Sequence, residues 1–289
     1  MKCFYHNDLD GRCAGAVVAH FTKNHYAPDY FEVDYVMDLP INKIADGEQV
    51  FFVDYSFKEN TAHILQELIE RGCDVVWIDH HTSSINLEAA YPEFKVIKGT
   101  RSDKRSGALL TYEWFVESED SSPFFVQLVS DYDCWKFKQE PHTTHFKLGI
   151  ETVKYDALDE IWDALFCDDA NYLPGRDDTL NKLVGKGRII KNYIDETNTY
   201  YREHFAYESK IAGHKCLVVN KKTNSWVFGE KYNEYPLVMV WVFDGTKYTY
   251  SIFSGDPSVD CSKIAESYGG GGHKGAAGFS SDEMLFKKN

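Results

Sequence analysis

Long apolar runs are missing: no stretch of this 289-residue chain approaches the roughly 20 consecutive apolar residues that cross a bilayer. Paired cysteines are missing too. Cys3, Cys13, Cys73, Cys134, Cys167, Cys216 and Cys261 are scattered singly and never fall in CxxC spacing, which argues against a disulfide framework and against a zinc knuckle. The opening MKCFYHNDLDG meets charge at Asp8 before any apolar core can form, so no signal peptide and a cytoplasmic location are expected. Positive charge is in deficit, with 31 Lys and Arg against 45 Asp and Glu and a net charge of −14. A basic face that displaces counterions from duplex DNA or long RNA is therefore not expected. A small phosphorylated ligand is still compatible with such a chain if metal ions reverse the field locally.

What is present is the composition of a folded protein, 43% apolar and 15% aromatic, with length enough for two domains. In the first half, strand-like segments alternate with helix-like ones. KCFY (2–5), YFEVDYV (30–36), QVFFVDYS (49–56) and DVVWIDHH (74–81) read as strands, whereas GRCAGAVVAHF and KENTAHILQELIERGC carry helical spacing. Such alternation implies βαβ units and a parallel sheet covered on both faces. Further helices are expected over about 106–118 and 122–130. A long helix over about 177–208 includes Gly185 and Gly187, which weaken its middle, and follows the turn signal LPGRDD. After it, CLVVN, SWVFGE, LVMVWVFD and KYTYSIFS read as closely spaced strands, followed by a helix-sized CSKIAESY. The expected fold class is α/β: a parallel-sheet N-terminal domain (1–176), a connecting helix and linker (177–209) and a smaller α+β C-terminal domain (210–289).

The strand ends carry an unusual load. The first runs into His6, Asp8 and Asp10, the third into Asp54, the fourth into Asp79, His80 and His81, and the apolar VQLV into Asp131 and Asp133. Taken singly, an aspartate at a strand end is commonly a helix cap or turn residue. Taken together, four segments deliver carboxylates and imidazoles to the carboxyl edge of one parallel sheet, where ligands bind. Clustered carboxylates raise one another's pKa, and divalent cations remove that cost. Oxygen and imidazole donors without thiolates suit Mn²⁺, Mg²⁺ or Fe²⁺, and more ligands than one ion needs imply a pair sharing a bridging aspartate. Near the end, YGGGGHKGAAGF (268–279) suggests a backbone cradle for phosphate, since glycine costs folding entropy. The basic TRSDKRSGALL, with Arg101, Lys104 and Arg105 before a helix start at Ser106, is a second candidate anion site.

HNDLDG, VDYSF, IDHH and VSDYDCW resemble the first four motifs of the DHH phosphoesterase superfamily, and YGGGGHKGAAGF resembles its DHH-associated C-terminal domain. The resemblance implies a phosphohydrolase with two divalent cations, manganese first and magnesium as the alternative. Asp8 and Asp10 would each hold a metal, Asp54 would bridge, and His80 and a fourth-motif aspartate would hold the second ion. That aspartate is Asp131 by preference, since it directly follows the apolar run, with Asp133 as the fallback. His6 joins the metal set, although many members carry the first-motif histidine at the position of Phe4. Asp79 would orient a neighbouring histidine, and His81 would contact the scissile phosphate or donate a proton. Gly270, Gly271, Gly272, His273 and Arg105 would bind substrate, the two lobes closing on it about a hinge near Gly175 or within 200–212. The strand before the glycine run has Phe253 where nano-RNases often have arginine. Short oligonucleotides or small phosphorylated nucleotides are the implied substrates, with neither long duplex nor membrane as partner and a homodimer left open. A pyrophosphatase or exopolyphosphatase, or a non-catalytic nucleotide-binding regulator, are the competing expectations.

Overall fold

The computed structural model describes residues 1–23, 28–117, 122–167 and 178–287, and the chain divides into two compact units, Met1–Lys191 and Asn192–Asn289. The first is built on β1 (Lys2–His6), β2 (Asp29–Val33), β3 (Gln49–Val53) and β4 (Asp74–Ile78), in the order β2-β1-β3-β4 and parallel throughout. Because both faces are covered, β1, β3 and β4 are apolar and buried through CFY, VFFV and VVWI. Cys3, Tyr5, Phe51, Val53, Val76 and Ile78 point into one core. Phe4, Val50, Phe52, Val75 and Trp77 point into the other.

The first core is closed by α1 (Leu9–Phe21), α4 (Gly107–Val116), α5 (Phe124–Asp133), α6 (His142–Ile150) and α7 (Glu160–Cys167), the second by α2 (Ala62–Glu70) and α3 (Thr82–Ala90). β2 stops short of the expected Val36, because the Asp34 carboxylate accepts from the N–H groups of Val36 and Met37 at 2.8 and 3.0 Å and turns the chain. The expected long helix is α8 (Thr179–His204), unbroken through Gly185 and Gly187. Glycine is required at 187, since a Cβ there would lie 1.6 Å from the His145 carbonyl oxygen of α6. The hinge expected near Gly175, the 176/177 boundary and the turn before α8 up to residue 177 lie outside the described residues.

The second unit is α+β, as expected. Strands β5 (Tyr207–Ile211), β6 (His214–Asn220), β7 (Leu237–Phe243), β8 (Tyr248–Ser254), β9 (Gly271–Gly272) and β10 (Ala276–Ser281) form one mixed sheet ordered β5-β6-β7-β8-β10-β9, and α9 (Cys261–Ser267) packs on it. The expected strand at SWVFGE is instead a 3-10 segment, Ser225–Glu234. Asn224 caps it by accepting from the Trp226 N–H at 3.0 Å, and Gly229 breaks it with φ of 51°. Val227 and Phe228, which made it look like a strand, are buried against Leu217 and Val240.

The glycine run, expected from its entropic cost to be a phosphate cradle, is in part required by packing. A Cβ at Gly270 would lie 2.1 Å from the Gly278 carbonyl oxygen, and one at Gly272 would meet Ala277 at 2.5 Å. Gly271 and Gly272 pair antiparallel with Gly278 and Ala277. His273 closes the turn through its N–H to the Ala276 carbonyl at 2.8 Å. Gly271, Gly272 and His273 are exposed.

Candidate metal centre

The first unit gathers its acids at the carboxyl edge of its sheet. The chain leaves β1 at His6 and enters α1 through Asp8, which caps that helix by accepting from the Gly11 N–H at 2.9 Å. The other Asp8 oxygen lies 2.8 Å from His6 Nδ1. Asp10, in the first turn of α1 and buried, turns its carboxylate to the N-terminus of α4, where the N–H groups of Gly107 and Ala108 donate to it at 2.6 and 3.1 Å. Those N–H groups have no partner within their own helix, and the helix dipole favours an anion there. The anion at this helix start is thus Asp10, not a ligand held by the preceding basic residues.

Asp54 follows β3 directly. Its φ of 53° is a left-handed conformation that a non-glycine residue rarely adopts, and its side chain is 1% exposed. Gly107 packs so closely that a Cβ there would lie 2.6 Å from the Asp54 Cβ. His80, just past β4, brings its Nε2 to 3.3 Å from Asp54 Oδ1, 3.4 Å from Asp133 Oδ2 and 3.9 Å from Asp10 Oδ2. Asp54 Oδ1 and Asp133 Oδ2 are buried and have no hydrogen-bond partner. Buried polar atoms are nearly always satisfied, and a pair of buried carboxylate oxygens aimed at one imidazole is what a cation would satisfy.

The donor sets fit that role. His6, Asp8 and Asp54 form one group, Asp54, His80 and His81 a second, and His80, Asp133 and Cys134 a third, each with its ligand atoms within 4.8 Å of one another. Asp54 and His80 each belong to two of these groups.

Electrostatics report the same crowding. Burial, followed by the charges of Asp10, Asp8, Asp79 and Asp133, pushes the Asp54 carboxyl well above its ordinary range. Asp133 is pushed up to about 9 by burial and by the charges of Asp10, Asp8 and Asp79. Burial also raises Asp10. Asp8 goes the other way: burial pushes it up, but the hydrogen bonds from His6 and Gly11 outweigh that and hold it low. Burial lifts the neighbouring Cys134 thiol to about 11.

Asp79 is fully buried at the end of β4 and accepts from Ser84 Oγ and, at 2.8 Å, from His81 Nδ1. Burial lowers the His81 pKa, but the hydrogen bond and charge of Asp79 more than reverse this, so the imidazole holds its proton above the ordinary range. The Nδ1 contact fixes the ring and leaves Nε2 as the edge that can meet a ligand.

Two expected residues stand elsewhere. Asp131 does not join the cluster: its carboxylate accepts from the N–H groups of Lys138 and Gln139 at 2.9 and 3.0 Å and from Thr143 Oγ1. These bonds hold its pKa low although burial opposes them. The physical reason is that SDYD belongs to α5, and residues two apart on a helix do not share a face; with Asp131 turned to the loop beyond the helix, Asp133 faces His80. Arg105 is held by Glu113 of α4. Arg101 is tied to Glu88 and to the carbonyls of Trp77 and Lys98 and lies over the Trp77 ring, a packing role.

Sequence reasoning also missed residues that shape the site. Gly107 has no signal beyond being a glycine in RSGAL. Cys134 was set aside because thiolates were sought only in pairs. Tyr35, in the turn after β2, brings its ring to 5.0 Å from His6 and edge-on to His81 at 6.4 Å. Its hydroxyl accepts from the Ser56 N–H at 3.2 Å.

Comparison with known proteins agrees with this architecture. Residues 3–130 match the model of the DHH family, N-terminal domain. An uncharacterized protein of Acanthamoeba polyphaga mimivirus is 24% identical over 260 residues, covering 88% of this chain but only 58% of that protein's own length. The oligoribonuclease NrnB of Bacillus subtilis is 22% identical over 309 aligned positions, 98% of this chain and 73% of the relative. Among solved structures, the pGpG-specific phosphodiesterase PggH from Vibrio cholerae superposes with a TM-score of 0.57 at 14% identity, covering 97% of this chain and 93% of that one. The DHH domain of a protein assigned to a family of ribosomal proteins gives 0.50 at 13% identity, covering 96% and 81%.

Proposed function

As this chain belongs to the DHH superfamily of phosphoesterases, we propose that it is a metal-dependent phosphodiesterase of short oligonucleotides or small phosphorylated nucleotides. The observation that carries this is the pair of unpartnered buried oxygens, Asp54 Oδ1 and Asp133 Oδ2, converging on His80 Nε2. His6, Asp8 and Asp54 would hold one divalent cation, and Asp54, His80 and Asp133 the other, manganese by preference or magnesium. Such a pair, when bound, supplies charge to polarise a phosphate and lowers the pKa of a water to near neutrality.

The protein's own groups do the rest. Asp10, pinned by the Gly107 and Ala108 N–H groups, adds negative charge beside His80 without being free to swing away. Asp79 holds His81 by Nδ1, so a protonated Nε2 can bind a non-bridging phosphate oxygen and pass its proton to the leaving oxygen. Gly271, Gly272 and His273, exposed in the second unit, and Gly270 beside them are the substrate contacts proposed for that unit.

The substrate class is supported by the names of NrnB, an oligoribonuclease, and PggH, a pGpG-specific phosphodiesterase. With Mn²⁺, hydrolysis of a diribonucleotide and of bis(p-nitrophenyl) phosphate is expected. Turnover of tripolyphosphate with none of the dinucleotide would transfer the assignment to a polyphosphatase. Tight nucleotide binding without any turnover would transfer it to a regulator.

A further inference from the structure

Cys134 leaves the C-terminus of α5 directly after Asp133. Its N–H donates to the Ser130 carbonyl at 3.0 Å, and the Lys136 N–H returns the chain to the Asp131 carbonyl at 2.9 Å. Trp135 and Phe137, with φ of 53° and 49°, take left-handed conformations along that return. The turn so formed fixes the direction in which the thiol leaves the helix. Its sulfur, a carboxylate oxygen of Asp133 and a ring nitrogen of His80 lie within 4.8 Å of one another. Of the seven cysteines, Cys134 alone joins such a group among the described residues.

A second observation, independent of the cysteine, marks the same imidazole as a place for a cation. Asp54 Oδ1, on a side chain only 1% exposed, has no hydrogen-bond partner and lies 3.3 Å from His80 Nε2. Asp133 Oδ2 is orphaned in the same way and lies 3.4 Å from that nitrogen. Sulfur changes what such a donor set prefers. Oxygen and imidazole donors accept magnesium and manganese, whereas a thiolate is soft and rewards zinc, cobalt(II) or iron(II). The group of His6, Asp8 and Asp54 holds no sulfur, so the two donor sets differ in kind.

We propose that Cys134 is a further ligand of the cation held by Asp54, His80 and Asp133, and that its sulfur biases this position toward zinc, cobalt(II) or iron(II) over magnesium. On binding, the S–H bond breaks heterolytically: the proton goes to solvent, the sulfur lone pair to the metal, and nothing is oxidised or reduced. The inference rests on the two-cation reading and names a ligand that this reading left out.

The test titrates metal-free wild type, Cys134→Ser and Cys134→Ala with cobalt(II). It follows the thiolate-to-cobalt charge-transfer band in the near ultraviolet and the ligand-field bands in the visible. Wild type should develop the charge-transfer band, and both variants should lose it while keeping their visible bands. Chelator competition should find zinc and cobalt bound more weakly by roughly ten-fold or more in Cys134→Ser, since loss of even an outer partner of a ligand costs that much. Magnesium affinity should stay within about two-fold, because magnesium gains little from sulfur. If neither variant folds, wild type alone decides: at saturation, zinc should shield Cys134 from iodoacetamide and magnesium should not, with the exposed Cys167 alkylated equally in both. Cobalt bound without a charge-transfer band, a band that persists in both variants, or equal shielding by zinc and magnesium overturns the proposal and leaves the phosphodiesterase assignment in place. A wild type that binds no cobalt removes the ligand and the cation pair with it. A Cys134-dependent band in a protein that hydrolyses neither a dinucleotide nor bis(p-nitrophenyl) phosphate keeps the ligand and removes the phosphodiesterase assignment.

Discussion

Asp131 and Asp133 differ by two positions and by role. Asp133→Asn should lose manganese affinity and hydrolysis together, because it neutralises one of the two unpartnered buried oxygens. Asp131→Ala should instead leave two backbone N–H groups and the Thr143 hydroxyl without their acceptor. Its cost is roughly 1–3 kcal/mol, seen as a melting temperature lower by several degrees, with manganese still bound. Equal metal loss in both variants would show that the two carboxylates had been assigned wrongly. Helical geometry is why the sequence misled here: after VQLV the eye continues a straight run to Asp131, and only the turn of α5 reveals which acid faces His80. The acids that follow true strands, Asp54 and Asp79, suffered no such ambiguity, since a strand end has one direction.

The start of α4 is the element on which the acids depend. Its first two N–H groups hold Asp10, and its first residue, Gly107, leaves room for Asp54 in a left-handed conformation. Gly107→Ala should therefore displace Asp54 and lower manganese affinity by at least ten-fold while alanine favours the helix itself, which circular dichroism and a metal titration would separate. Undiminished metal binding would mean that Asp54 does not need its observed position. Elements were legible in the sequence where one period dominated: the four parallel strands, α1, α2, α8 and, in the second unit, β6, β7 and β8. Helices α3, α6 and α7 went unread, since α3 mixes Thr, Ser and Asn with its apolar residues and α6 opens HTTH. The 3-10 segment at 225–234 was misread because a buried Val227–Phe228 pair looks the same in a strand or a turn of helix.

For the whole molecule, the crowding of acids couples stability, metal and pH. Folded Asp133 keeps its proton up to about 9, whereas an unfolded chain releases it near 4. Between those limits the folded state binds more protons than the unfolded one, so the metal-free protein should lose stability as pH rises. Cations replace the proton, so manganese affinity should rise over the same window and its binding should release protons. The gap between melting temperatures with manganese and with a chelator should widen toward pH 9, and a gap independent of pH would contradict the coupling. The convergence of distant acids could be read from the sequence because a parallel sheet puts its strand ends on one edge. What could not be read was which oxygen lacks a partner, since that depends on side-chain directions fixed by packing.

The most direct measurement is manganese stoichiometry by equilibrium dialysis, with electron paramagnetic resonance, on wild-type and Asp54→Asn protein. Two ions per chain, magnetically coupled in the wild type and reduced to at most one uncoupled ion in the variant, is the expected result. A wild type that holds no manganese, or an Asp54→Asn protein that holds the same coupled pair, would contradict the assignment of Asp54 as the residue shared between two cations.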